Sequence, residues 1–283
     1  MEADFESKSI KVDGLNIRYI TAGERGSPVL LLHGGGTDSA LLSWRLSIGR
    51  ISQSHRVFAP DLPGYGESDK PKVKYTNEYY VDFLGKIMDA LKLERASLVG
   101  ISMGGGISLG FTLKSPERVD KLVLVDSYGL GREIPGGVRS YLLVHLPLLL
   151  EMAWMMERQS RWVARWSLRW IFYNPQTVTD ELVDEIWQLM KKPGVGRAFA
   201  SFQRSEVRWG GVNTDFVDRL HEITVATLIL HGAEDSLVPV SWAERAHRLI
   251  KGSELHIFPE CGHWPPREKT EEFNRVVLEF LAK

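Results

Sequence analysis

Cysteine is nearly absent from this chain: Cys261 is the only one among 283 residues, which excludes an intrachain disulfide framework. Charge of one sign is lacking too. Lys and Arg number 35 against 36 Asp and Glu, a formal net charge of -1, so no basic field draws the protein to nucleic acid or to anionic lipid. Long apolar runs are missing. The longest, YLLVHLPLLL at 141–150, is interrupted by His145 and Pro147 and ends at Glu151. It is shorter than the roughly 20 residues a spanning helix requires, so stable membrane insertion is not expected. The opening MEADFESKSI is acidic where a secretion leader is basic and then apolar, which with the single cysteine predicts a cytoplasmic location. No His, Cys, Asp and Glu cluster has metal-ligand spacing, so neither a metal nor another cofactor is expected. There is no internal repeat and no low-complexity tract.

What is present reads as alternating strands and helices. Asp13-Gly14 between two alternating runs is the local signature of a type I′ hairpin. The runs PVLLLH, RVFAP, ASLVGI, KLVLVD, ATLILHG and SELHIF are short and apolar, as strands buried in a parallel sheet are. Phe83, Leu84, Ile87, Met88 and Leu91 recur with helical spacing from Tyr80, with Thr76 available as an N-cap, and Phe273, Val276, Val277, Phe280 and Leu281 repeat that spacing at the end. The class is therefore α/β, a mostly parallel sheet covered on both faces. Between GLGREIPGG and WGG no strand signal appears while Leu, Trp, Met and Arg dominate. This predicts a core domain of residues 1–130 and 211–283 and a helical insertion of residues 131–210.

Within LVGISMGGGISLG, Ser102 lies between Gly100 and Gly104, where an apolar strand gives way to a helix. The glycines alone are consistent with close strand–helix packing, as expected of Gly105, Gly106 and Gly110. But G-x-S-x-G in a strand–turn–helix context also exposes a serine at a sharp corner. A hydroxyl is a weak nucleophile unless a base is in reach and a carboxylate fixes that base in one tautomer. Groups on loops beyond the carboxyl ends of strands are the candidates. His247 falls in an apparent helix and His256 in a strand. His263, in PECGHWPP after the last strand, is placed as such a base should be. Asp235, in LILHGAEDSLVP, is the favoured carboxylate, with Asp126 at the end of KLVLVD as its competitor and Glu234 expected in solvent. Donors for an oxyanion are expected from the backbone N–H of Gly35, in LLHGGGTD, and of Met103, at the helix start.

With HGGG, DLPGYGESDKP, GISMGGG, GAEDSLVP and CGHWPP in this order, the whole chain resembles the α/β-hydrolase fold proteins. The resemblance implies a serine hydrolase with the triad Ser102, Asp235 and His263 and a helical lid. Serine at the corner sets it apart from the haloalkane dehalogenase and epoxide hydrolase branches, which use Asp there. HGGG, SMGG and Trp264 after His263 are most similar to the meta-cleavage product hydrolases, which split a C–C bond in dienone acids. That branch has Asn before the nucleophile and Arg before a lid tryptophan. This chain has Ile101 and Ile186-Trp187, which remove groups expected to bind substrate carboxylate and keto oxygens. Cleavage of small apolar carboxylic esters is therefore expected ahead of C–C hydrolysis, with a ligand receptor or haloperoxidase-like perhydrolysis as other outcomes on the scaffold.

In RWVARWSLRW, Trp162, Trp166 and Trp170 form one helical stripe beside another of Arg161, Arg165 and Arg169. Tryptophans packing downward with arginines in water is the simplest reading; a sharper one has the aromatic stripe lining an acyl pocket together with Gly34, Trp187 and Trp264. The stretch 142–150 is a candidate for docking a second copy or a membrane surface.

Overall fold

A computed structural model describes residues 5–134, 136–146 and 148–283. The first four residues, on which the leader argument partly rests, and Pro147 lie outside the described residues.

The chain opens with a hairpin of β1 (Glu6–Val12) and β2 (Leu15–Ala22). Asp13 and Gly14 take the two positive-φ positions of its turn, at 51° and 81°. Alternation follows: β3 (Pro28–Leu32), α1 (Ala40–Ile51), β4 (Arg56–Pro60), α2 (Asn77–Ala90), β5 (Ala96–Ile101), α3 (Met103–Lys114) and β6 (Val119–Val125). The Thr76 hydroxyl accepts from Tyr79 N at 3.0 Å, so α2 begins directly after its cap. Then come α4 (Gly137–His145), α5 (Leu149–Gln159), α6 (Arg161–Ser167), α7 (Asp180–Lys191) and α8 (Arg197–Glu206). A minimal ribbon of β7 (Val207–Arg208) and β8 (Gly211–Val212) ends this stretch; β7 lies inside the segment expected to hold no strand. The Trp209-Gly210 turn closes it, with Gly210 at φ 82°. The alternation resumes with β9 (Ala226–Gly232), α9 (Val240–Leu249), β10 (Glu254–Phe258), α10 (Pro265–Glu268) and α11 (Thr270–Ala282).

Eight strands form one sheet in the order β1-β2-β4-β3-β5-β6-β9-β10, with β2 antiparallel to both its neighbours and all pairs from β4 onward parallel. Residues of a strand alternate between the faces. Leu30, Leu32, Leu98 and Leu124 pack with Tyr80, Leu84, Ile107 and Trp242 of α2, α3 and α9. Val29, Leu31, Val99 and Val123 pack on the other face with Trp44, Ile48, Phe273 and Val277 of α1 and α11. Each fully buried aliphatic side chain of this kind contributes about 1.5–3 kcal/mol. All six residues of β5 are buried, which fixes the strand that precedes Ser102 at the centre of the molecule.

The tryptophan stripe of α6 is oriented opposite to the simple expectation. Trp162, Trp166 and Trp170 are exposed, at 71%, 45% and 56%. Ala164 and Leu168, an i, i+4 pair offset from both stripes, are the buried ones. Arg161 is held by Asp180 and Asp184 at 2.8 and 2.6 Å, and Arg165 by Asp180 at 2.9 Å. These acids lie in the N-terminal half of α7, so the two arginines tie α6 to α7 across the surface.

Candidate active site

Between the last residue of β5 and the first of α3 stands Ser102 alone, at φ 52° and ψ -116°. This backbone conformation is unfavourable for any residue with a Cβ, and the surroundings impose it. Ser102 N donates to Val125 O at 2.9 Å, while its carbonyl accepts from Gly106 N and Tyr128 N, each at 3.1 Å. The corner is tight enough that a Cβ on Gly100 would lie 2.3 Å from Gly104 O, and one on Gly104 the same distance from Leu32 O.

Asp235 follows β9 in a turn that it braces itself. Its Oδ1 accepts from Leu237 N at 2.7 Å and Val238 N at 3.0 Å, leaving Oδ2 to meet His263 Nδ1 at 2.7 Å. Burial pushes the Asp235 carboxyl up, but the His263 ring beside it, aided by His231 and the Val238 N–H, holds it below the usual range. His263 is anchored through its backbone, N to Ile171 O at 2.7 Å. No hydrogen bond joins Ser102 to His263 among the described residues, yet both face one cavity.

Asp126, the competing acid, sits fully buried at the end of β6 and accepts from Gly232 N at 2.9 Å. Burial, then the Asp235 charge, pushes its carboxyl well above the ordinary range. Within so close a buried pair, the charge on Asp235 disfavours a second charge on Asp126. Its Oδ2 makes no hydrogen bond among the described residues. His231 completes the cluster, 3.5 Å from Asp235 Oδ2 and 3.7 Å from Asp126 Oδ1, with Nε2 donating to Val238 O at 3.0 Å. Burial lowers the His231 pKa, against the pull of the Asp235 charge. Asp126, Asp235 and His263 are the one group among the described residues with ligand atoms close enough for a metal, within 4.8 Å of one another. Their long-range convergence has no signature in sequence spacing. Within this group His263 Nδ1 and Asp235 Oδ2 are hydrogen-bonded to each other.

The glycine loop after β3 is held by His33, whose Nδ1 donates to Gly34 O at 2.8 Å and whose Nε2 accepts from Leu62 N at 3.0 Å. Gly34 N is committed to Asp38 Oδ2 at 2.8 Å. Neither Gly35 N nor Met103 N donates to a protein acceptor among the described residues. Phe199 covers Gly35 so closely that a Cβ there would lie 2.3 Å from its ring.

The cavity shared by Ser102 and His263 measures about 370 Å³. Gly34, Gly35, Ile101 and Trp264 line it from the sheet side, and Trp154, Glu157, Trp170, Ile186, Met190 and Phe199 from the helical side. Trp162 and Trp166, expected in the pocket, do not line it; they border a separate surface groove with Arg165 and Arg169. Trp187 is outside as well. Its Nε1 donates to Arg158 O at 3.2 Å and Lys191 Nζ caps its ring, because α7 turns Ile186 and Met190 toward the cavity instead. Sequence reasoning missed Trp154, Glu157 and Phe199, which no local motif marks. It also missed Glu268, whose carboxylate accepts from Gly262 N at 2.9 Å and Tyr173 N at 2.8 Å, tying the His263 loop to the helical stretch. An acidic residue in the first turn after HWPP was the available signal.

Residues 27–270 match the family described as the α/β hydrolase fold. The chain belongs to that family. This hydrolase is 36% identical over 260 residues to a 2-hydroxy-6-oxo-2,4-heptadienoate hydrolase of Pseudomonas putida, covering 91% of this chain and 90% of the relative. It is 32% identical to a 2-hydroxymuconate semialdehyde hydrolase of a Pseudomonas species, over 91% of this chain and 88% of that one. Among solved structures, a meta-cleavage product hydrolase from Pseudomonas fluorescens IP01 superposes with a TM-score of 0.83 at 35% identity, over 97% of both chains. A carboxylesterase of Bacillus subtilis, at 24% identity and a TM-score of 0.78 over 98% of this chain and 92% of that one, shares the fold.

Proposed function

We infer that this hydrolase cleaves small, apolar carboxylic esters through an acyl-enzyme on Ser102. In this reading His263 takes the Ser102 proton, and Ser102 Oγ attacks the ester carbonyl. The N–H groups of Gly35 and Met103 receive the oxyanion, and the alcohol leaves with the proton from His263. Water, deprotonated by His263, then attacks the acyl carbon and frees the acid. Asp235 stays ionised and holds Nδ1, consistent with its 2.7 Å contact and depressed pKa. The Ser102–His263 bond forms when substrate fills the cavity, since such contacts tighten in the Michaelis complex. The helical stretch of residues 131–210 serves as the lid, as its lining of one side of the cavity suggests.

One observation favours esters over C–C cleavage, the activity that the relatives' names indicate. The positions where the resemblance implies Asn and Arg hold Ile101 and Ile186, both of which line the cavity, and no Lys or Arg lines it among the described residues. A dienone acid would bring its carboxylate to a wall with no cation, at the cost of desolvating the charge without a partner. The test is a parallel assay of p-nitrophenyl esters, lactones and a dienone acid, with a phosphonate adduct mapped by mass. Turnover of esters with the adduct on Ser102 is expected; dienone-acid turnover exceeding that of every ester would reverse the assignment.

A further inference from the structure

We propose that Glu157 makes the Ser102 cavity selective for a ligand carrying a primary ammonium group and hostile to one carrying a carboxylate. The inference rests on the reading of this cavity as the substrate site. Glu157 projects from α5 into a lining made mostly of aromatic and aliphatic side chains and glycines. Among the described residues it forms no ion pair, although its helix neighbour Glu151 is paired with Arg204. The Ser167 hydroxyl beside it already donates to Ala164 O at 2.9 Å.

Asp38 is the other carboxylate of the lining, and its position is different. Its oxygens accept from Gly34 N, Ser39 N and Ser43 Oγ at 2.7–2.8 Å, so its capacity is spent on the glycine loop. Glu157 is thus the one acid of the cavity with acceptor capacity to offer a guest. Burial pushes its carboxyl above the ordinary range, opposed by the Ser167 hydroxyl beside it, and a cation bound against it would favour its charged form. Trp154 and Trp170 share the lining, and aromatic faces attract an ammonium as strongly as they neglect a carboxylate. An ammonium guest would satisfy Glu157; a carboxylate would face both Glu157 and Asp38 with no Lys or Arg of the lining to offset them.

Binding is measured with the intact chain and three inert probes of one length, hexylammonium, hexanol and hexanoate, by calorimetry near neutral pH. Hexylammonium is expected to bind about tenfold or more tighter than hexanoate, with hexanol between them. In Glu157→Gln, which keeps shape and removes charge, the preference should collapse to within about twofold; Glu157→Met supplies a second neutral variant. Equal or tighter binding of hexanoate by the native protein, a preference that survives both variants, or no heat from hexylammonium at millimolar concentration would each overturn the proposal. These readouts need no turnover, so they are separable from failure of the ester reading, which shows as absent hydrolysis of every ester.

Discussion

Ser102 carries a backbone conformation that costs about 1–3 kcal/mol, while a glycine at the same place loses about 0.5–1 kcal/mol through its freer unfolded chain. Ser102→Gly should therefore melt higher than Ser102→Ala, by about 1 kcal/mol at the midpoint in calorimetry, although both variants should lose about a thousandfold or more of ester turnover. Equal melting of the two would remove the claim that strain is stored at the corner. Asp126 yields a pH-dependent expectation. An acid whose folded pKa is raised binds its proton more tightly in the folded state, so its contribution is fullest below the unfolded value near 4 and erodes as pH rises toward the folded value. Asp126→Asn abolishes that erosion. The melting temperature of the variant relative to the native chain should be more favourable at pH 8 than at pH 5, measured by thermal denaturation at both. An unchanged difference would mean that Asp126 is ionised in the folded protein.

Glu268 is the clasp between two elements, and removing it strands the N–H groups of Gly262 and Tyr173. Glu268→Ala should cost about 1.5–3 kcal/mol of stability by denaturant titration, the range for hydrogen bonds to a charged group. It should also lower kcat more than it raises KM, because the His263 loop loses its tether. On the helical insertion, Trp162→Ala and Trp166→Ala should leave the preference among ester chain lengths within about twofold of the native chain. Ile186→Ala, by enlarging the cavity, should shift it toward longer acyl groups; chain-length profiles of kcat/KM decide both. These contrasts mark where the sequence was legible. Strand runs and capped helices of the core could be read because period and burial coincide, as in β5 and α2. Ser102, Asp235 and His263 are legible as candidates because each follows its own strand, and the fold pairs Asp235 with His263 and opens Ser102 and His263 onto one cavity. The insertion could not be read in the same way. Its helices show more than one apolar stripe, and which one faces inward depends on partners such as Asp180 and Asp184, far from Arg161 in sequence. The pairing of Asp126 with Asp235 was equally hidden, since only adjacency of β6 and β9 brings them together.

Taken whole, the molecule is nearly neutral, so an uncharged ester meets no long-range steering. Its kcat/KM should vary by less than about twofold between low and high salt, where the Debye length falls from about 30 to 3 Å. A steep salt dependence would point to a local field acting on the substrate. The sheet places β5 between β3 and β6, so Ser102 and the glycine loop arise from neighbouring strands of the first half of the chain. Asp235 and His263, which activate it in the proposed mechanism, follow β9 and β10, at the opposite margin of the synthesis order. During translation the serine corner is thus made long before anything exists to withdraw its proton. On the proposed mechanism the growing polypeptide stays chemically silent until β10 docks, so hydrolytic competence would report completion of folding, and a chain halted ahead of that strand should neither turn over esters nor capture a phosphonate.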